Sequence, residues 1–227
     1  MNKIAYGALW SLLILAAPLY PQKGFMLGGA IGYYTASLDE INQGLLAVQD
    51  EETFIQETNG GFIATGSVLY NFSSRVTGRL NISSWTDQAA GRRSTITEDI
   101  SIVNRVTLIP VLVGLQFFLN NENNDIRPYV GGSAGMVLIR NNIQVSYFSL
   151  GRDPIASSTT ASGRDFMAYP FFGFQLRGSE TIRLFIEGGY NFSNYSVINT
   201  DIVTGKKSQD SVSLNGFSVH TGFQVSL

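Results

Sequence analysis

Residues Ser213 to Leu227 read SLNGFSVHTGFQVSL and alternate without interruption. Phe217, Val219, Thr221, Phe223, Val225 and Leu227 fall on one face, and Gly216, Ser218, His220, Gly222, Gln224 and Ser226 on the other. A side-chain period of two is the mark of a β-strand. A terminal strand of this length leaves a row of unpaired backbone groups along a sheet edge, a pairing hazard unless the sheet closes on itself. A closed barrel is therefore the first expectation. Which face points outward decides its kind.

The same alternation recurs along the chain. Strands are expected at Gly24–Ser37, Gly61–Phe72, Arg75 to about Trp85, Ile100–Leu119, Arg127–Ile139, Asp165–Arg177 and Ile182–Phe192, so the terminal strand is the eighth. The connections between them alternate in length. Ser73-Ser74, Asn120–Asp125 and Gly178–Thr181 are tight turns; Asp39–Gly60, Thr86–Asp99, Arg140–Arg164 and Asn194–Val212 are long polar stretches, read here as loops. Long structureless loops are uncommon inside compact soluble domains. In a barrel of the outer-membrane type, short periplasmic turns on one rim and long external loops on the other are the rule. An even strand count places both ends of the barrel on the short-turn rim.

Composition decides which face is outside. Only 14% of residues are charged, against roughly 25% in ordinary soluble proteins. The less apolar face is mostly Gly, Ala and Ser with a few Asn, Gln and Arg, a poor surface for water but a good lining for a narrow eight-stranded lumen. The apolar face carries Phe25, Tyr33, Phe62, Tyr70, Phe72, Phe117, Phe192 and Phe217 near strand ends, a distribution like that of interfacial aromatic girdles. Alternation of this sort also explains a mean hydropathy of only +0.09. The expected fold is all-β: an eight-stranded antiparallel up-and-down transmembrane barrel. The net charge of −2 gives no basic footprint for nucleic acid. The absence of cysteine excludes disulfides, thiol catalysis, Cys-type zinc sites and a lipidated N-terminal cysteine.

Residues 1–21 read as a targeting segment. Lys3 precedes an apolar run from Ile4 to Ala17 that is short for a membrane span and suits a secretory signal. Ala16 or Ala17 is the candidate cleavage position, with Pro18 disfavouring the second; an uncleaved anchor is the alternative. Residues 22–227 then form the barrel domain.

By these stretches the chain resembles the small eight-stranded outer-membrane barrels of the OmpA/OmpX type. Ile109–Phe118 (IPVLVGLQFF), Arg127–Gly135 (RPYVGGSAG), Ile182–Phe192 (IRLFIEGGYNF) and the terminal strand carry the resemblance, which spans the whole mature chain. It implies an assembly signal in the last strand, represented by His220, Gly222, Val225 and Leu227, read by the barrel-assembly machinery. Such proteins usually end in an aromatic residue; this one ends in Leu227. The resemblance also implies the outer membrane of a diderm bacterium, outer-membrane lipid and lipopolysaccharide as surroundings, and a monomer; unlike full-length OmpA, no periplasmic domain is expected after the barrel.

Candidate chemistry is sparse. Arg79 and Glu187 both fall on the inward face, on strands four apart in an eight-strand ring, and are expected to face each other across the lumen as a charge plug, with Arg177 and Arg183 joining it near the rim. A buried charge needs a partner. A gate is the functional reading; interior filling is the competing one, favoured because eight strands leave no continuous channel. His220 with Ser218 nearby has the residue types of nucleophilic catalysis, but both face inward and no orienting carboxylate is evident, so His220 is expected to be a lumen residue. The acidic first stretch offers carboxylates suited to divalent cations, though a solvated loop is the commoner outcome. Arg92, Arg93, Arg140, Arg152, Arg164, Lys206 and Lys207 lie in the later stretches, where those near the rim are expected to pair with lipopolysaccharide phosphates or with the acidic first stretch. No catalytic, cofactor or metal site is expected. The expected role is structural or surface-interacting through four external loops; a lipid A-modifying enzyme or a narrow pore is the alternative.

Overall fold

The structure, a computed structural model, describes residues 24–36, 53–57, 60–120, 124–151, 153–200 and 207–227. The expected signal segment, most of the acidic first stretch, Arg152 and Lys206 lie outside the described residues. The strands are β1 (Phe25–Tyr34), β2 (Thr53–Gln56), β3 (Gly61–Asn71), β4 (Val76–Ser94), β5 (Glu98–Phe118), β6 (Ile126–Ser149), β7 (Ile155–Arg177), β8 (Ile182–Asn191), β9 (Asn194–Thr200), β10 (Lys207–Ser213) and β11 (Gly216–Ser226).

Eight of these close a ring. Going round it, β4 pairs β3, β3 pairs β1, β1 pairs β11, and β11 pairs β8, followed by β7, β6, β5 and β4 again. All pairings are antiparallel. The seam is the pairing of the two terminal strands, from Met26 opposite Ser226 to Tyr34 opposite Ser218. It ends on a bond from the Leu227 amide to the Phe25 carbonyl.

The faces are inverted relative to a soluble barrel. Phe62 is 82% exposed, and Ile31, Phe172, Phe217 and Phe223 are exposed too. Thr77, Arg79, Gln116, Gln175, Glu187 and Gln224 are buried inside the ring. On β6 the outward apolar row runs from Pro128 to Leu138 and then changes abruptly to Arg140, Asn142, Gln144 and Ser146. A tilted crossing of the hydrocarbon layer needs about 9–11 residues, which is the length of that row. Closed antiparallel architecture, an exposed apolar band and a polar lumen make this a transmembrane barrel of the outer-membrane type, and that architecture places the chain in the outer membrane of a diderm bacterium.

Two of the stretches expected as loops are strand. β4 continues through Thr86–Ser94 and β5 begins at Glu98, leaving a tight hairpin turn; β6 continues to Ser149 and β7 begins at Ile155. The two hairpins are joined side by side through the β5–β6 ladder up to Glu98 opposite Ser149. They form a four-stranded wall beyond the apolar band. The stretch after β8 contains the hairpin β9–β10. The apolar–polar contrast disappears once the outer face of the wall meets water instead of lipid, so these segments lose the alternation that marked the others.

The lumen is filled by rings, and glycine makes the room. Tyr129 lies opposite Gly173 across the β6–β7 ladder, Phe171 opposite Gly131, and His220 opposite Gly32. A Cβ placed on Gly131 would sit 2.4 Å from the Phe171 ring, and one on Gly173 2.6 Å from Tyr129. Gly132, one residue along, faces outward with nothing within 4 Å. Gly131→Val is therefore expected to destabilise the barrel by about 1–3 kcal/mol or more through overpacking, while Gly132→Val leaves it nearly unchanged. Urea unfolding in detergent micelles measures both; equal effects would contradict the assignment of faces.

Candidate functional site

The lumen centre is built around one ion pair. Arg79 on β4 reaches across to Glu187 on β8, Nη1 donating to Oε2 at 2.6 Å and Nη2 to Oε1 at 3.1 Å. Glu187 is 2% exposed. Tyr129 donates its hydroxyl to the same carboxylate at 3.1 Å. With the Asn81 amide turned to suit its neighbours, its oxygen accepts from Arg79 Nε and Nη2 at 2.9 Å and its nitrogen donates to Ser67. The guanidinium also lies 4.3 Å from the centre of the Phe171 ring. A bidentate pair with its remaining donors satisfied is the geometry that offsets the cost of taking two charges out of water.

The rest of the interior is layered about this pair. Toward the long-hairpin end, Tyr34 and Trp85 meet edge to face with ring centres 5.4 Å apart, beside Ile63, Leu108, Ile139 and Met167. The Tyr34 hydroxyl donates to the Leu214 carbonyl. Toward the short turns, Arg127 stacks 3.6 Å above Phe118, and Gln175 donates to Gln224 at 2.6 Å. The cavity beside Arg79 and Glu187 holds about 30 Å³, room for water but not for a solute path. These rings were not singled out from the sequence, although the glycines opposite them were a usable signal.

Arg177 and Arg183 do not reach the central pair. Arg183 stands four residues along β8 from Glu187, roughly 13 Å at the strand rise. Its Nη1 contacts Gln175 Oε1 at 3.5 Å instead, and Arg177 lies directly opposite it in the β7–β8 ladder. The expected four-residue plug is therefore a central pair plus a separate group at the rim.

His220 sits inside the ring, edge-on to Tyr169 with centres 6.0 Å apart. Ser218 accepts from Asn191 Nδ2 at 3.2 Å. Glu187 is the cross-strand neighbour of His220, but its oxygens serve Arg79 and Tyr129. The structure does not assemble His220 and Ser218 into a nucleophile and base. Gly222, also inward, lies against the Gly29 carbonyl and Ala30; Val225 is on the lipid side, and Leu227 ends the seam.

The wall is the other distinctive surface. Just above the apolar band its outer face carries Arg105 on β5, Arg140 on β6 and Arg164 on β7, on consecutive strands. Higher up, Arg92 and Asp99 pair across β4–β5 at 2.9 Å. The Arg92 guanidinium, by hydrogen bond and charge, holds the Asp99 carboxyl below its ordinary pKa. The contribution of this exposed pair is present at neutral pH and is lost only as acid protonates Asp99, below the usual carboxylate range. At the tip, Ile96 is fully exposed, and Phe148, Leu150 and Ile155 are each at least half exposed; the Leu150 amide to the Thr97 carbonyl, 2.9 Å, ties the two hairpin tips together. Among the described residues, no strand pairs with the far side of Ile155–Asp165, whereas the corresponding edge of β4 is covered by β2 at Ala90–Arg93.

No protein-family model matches the chain, and no curated protein sequence matches it. Among solved structures, it is similar to the outer membrane protein OprG from Pseudomonas aeruginosa, with 14% identity, 89% of this chain and 95% of that one covered, and a TM-score of 0.49. Neisserial surface protein A is similar at 12% identity, with 90% and 98% covered and a TM-score of 0.44. The Escherichia coli outer membrane protein W is similar at 12% identity, with 92% and 100% covered and a TM-score of 0.41. At that distance nothing about ligand or activity passes from them to this chain.

Removing one member of the central pair strands the other. Arg79→Ala is expected to cost about 3–5 kcal/mol, whereas Arg79→Met combined with Glu187→Met recovers most of the loss. Unfolding midpoints of the single and double variants decide this; a double variant as unstable as the single one would show that the charges are not coupled.

Proposed function

We propose that the protein is a non-enzymatic surface-interaction barrel whose working part is the four-stranded wall. The observation that carries this reading is the wall itself. It continues β4 to β7 far beyond the lipid-facing band, so that Phe148 stands ten residues, about 33 Å along the strand, past Leu138. Its tip exposes Ile96, Phe148, Leu150 and Ile155, and among the described residues its β7 side offers unpaired backbone. Exposed apolar groups rimmed by polar residues suit protein contact, and a free edge suits addition of an extended strand from a partner.

Arg105, Arg140 and Arg164 support a second part of the reading. Arg140 and Arg164 sit one rung above the apolar band and Arg105 two, where phosphate groups of lipopolysaccharide would lie, and guanidinium forks suit phosphate. The terminal strand is proposed to direct assembly through His220, Gly222, Val225 and Leu227. Because β11 is paired on both edges in the closed ring, the assembly machinery would have to read it before closure.

The test compares cells displaying the wild type with cells displaying Ile96→Ser, Phe148→Ser, Leu150→Ser and Ile155→Ser together. Adhesion to protein-coated surfaces is expected to fall to that of non-expressing cells, while heat-modifiable gel migration shows the barrel still folded. Unchanged adhesion would overturn the role of the tip, and a new lipid A acyl pattern in expressing cells would favour an enzyme. In parallel, lipopolysaccharide co-purifying with the barrel is expected to drop several-fold in Arg140→Gln with Arg164→Gln; an unchanged amount would overturn the phosphate contact.

A further inference from the structure

The arginines left out of the central pair make a site of their own. The turn between β7 and β8 is tied by bonds from the Gly178 and Ser179 amides to the Ile182 carbonyl and from the Ile182 amide to Ser179 Oγ at 2.9 Å. It fixes Arg177 opposite Arg183 as the last inward-facing pair before the turn. Like charges directly opposite each other in a ladder are destabilising. Neither arginine makes an ion pair with a carboxylate among the described residues. Together with the 95%-buried Arg127, they line a cavity of about 150 Å³ at the short-turn mouth, with Gln175, Asn124, Ser179 and Glu180 completing the wall.

Arg183 is short of acceptors at this mouth. Arg127 Nη1 and Arg183 Nη1 both approach the same neutral oxygen, Gln175 Oε1, each at 3.5 Å, the outer limit of a hydrogen bond. The other terminal nitrogen of Arg127 donates to the Ser74 carbonyl at 2.6 Å, which anchors that side chain in place over Phe118. Glu180 is the single carboxylate in the described lining, and no ion pair joins it to Arg177 or Arg183. The described lining therefore carries a net charge of +2.

We propose that this mouth binds a phosphate group, a tetrahedral dianion, from the periplasm. Arg177 and Arg183 bring two guanidinium forks from adjacent strands to one cavity, with Arg127 beside them, and paired N–H donors of this kind recognise phosphate. A dianion would offset the charge of Arg177 and Arg183, relieve their opposition and supply the acceptors that Gln175 alone cannot give Arg183. The site is independent of the wall and of the role assigned to it.

The experiment uses the refolded full barrel in zwitterionic detergent. Its urea midpoint is followed against inorganic phosphate, glycerol phosphate and acetate at constant ionic strength held with chloride. A saturable rise with phosphate is expected, absent in Arg183→Gln and in Arg177→Gln and weakened in Arg183→Lys, which keeps the charge and loses the fork. A matching rise with glycerol phosphate identifies a phosphate ester on a larger molecule as the source; a rise with inorganic phosphate alone identifies the free ion. Arg140→Gln, on the outer face of the wall, should respond as the wild type does. No rise, a rise that survives Arg183→Gln, or an equal rise with acetate would overturn the proposal.

Discussion

Every backbone amide that enters a lipid bilayer must find its partner within the protein, and the pairing of β1 with β11 is what lets this chain meet that requirement. With the seam closed, no edge is exposed within the apolar band. The alternation of side chains then has only one workable orientation. Phe62, Ile31 and Phe217 turn to lipid, and the small and polar positions turn inward, where there is space for little else. The lumen contents follow from the narrowness of an eight-stranded ring. Tyr129, Phe171 and His220 fit because Gly173, Gly131 and Gly32 stand opposite them.

The same constraint explains why charge in the lumen is organised and not scattered. Arg79 and Glu187 stand at the middle of the ring, where water is scarce, and each uses several groups around it. Arg177 and Arg183 stand at the mouth, where the lumen meets solvent, and remain cationic with no ion pair among the described residues. Distance along one strand separates the two groups. That separation is what turns an expected single plug into a structural pair and a distinct cationic mouth.

The barrel was legible in the sequence wherever one face met lipid. Ile109 to Leu119 and Ile182 to Phe192 announce their strands because nearly every second residue is apolar while the positions between are mixed. The facing of Arg79 and Glu187 was legible for the same reason, since strand parity and ring count place both charges inward on opposite walls. The wall was not. From Thr86 to Asp99 and from Arg140 to Arg164 both faces are rich in polar residues, and period two leaves no trace when neither face has to be apolar. The rim arrangement was hidden by register: only the β7–β8 ladder reveals that Arg177 faces Arg183, and only the β6 position of Arg127 brings the third guanidinium to them.

Even-numbered positions on β6 face lipid up to Leu138 and water beyond it. The chain has no cysteine, so single cysteines can be introduced from Val130 to Phe148 and spin-labelled in reconstituted bilayers. Collision with oxygen, which concentrates in lipid, should be high at 130, 132, 134, 136 and 138 and low at the odd positions between them. From 140 onward, collision with a water-soluble nickel reagent should dominate at the even positions. High oxygen accessibility at the odd positions, or a lipid signature persisting through 142 to 148, would contradict both the inverted faces and the wall.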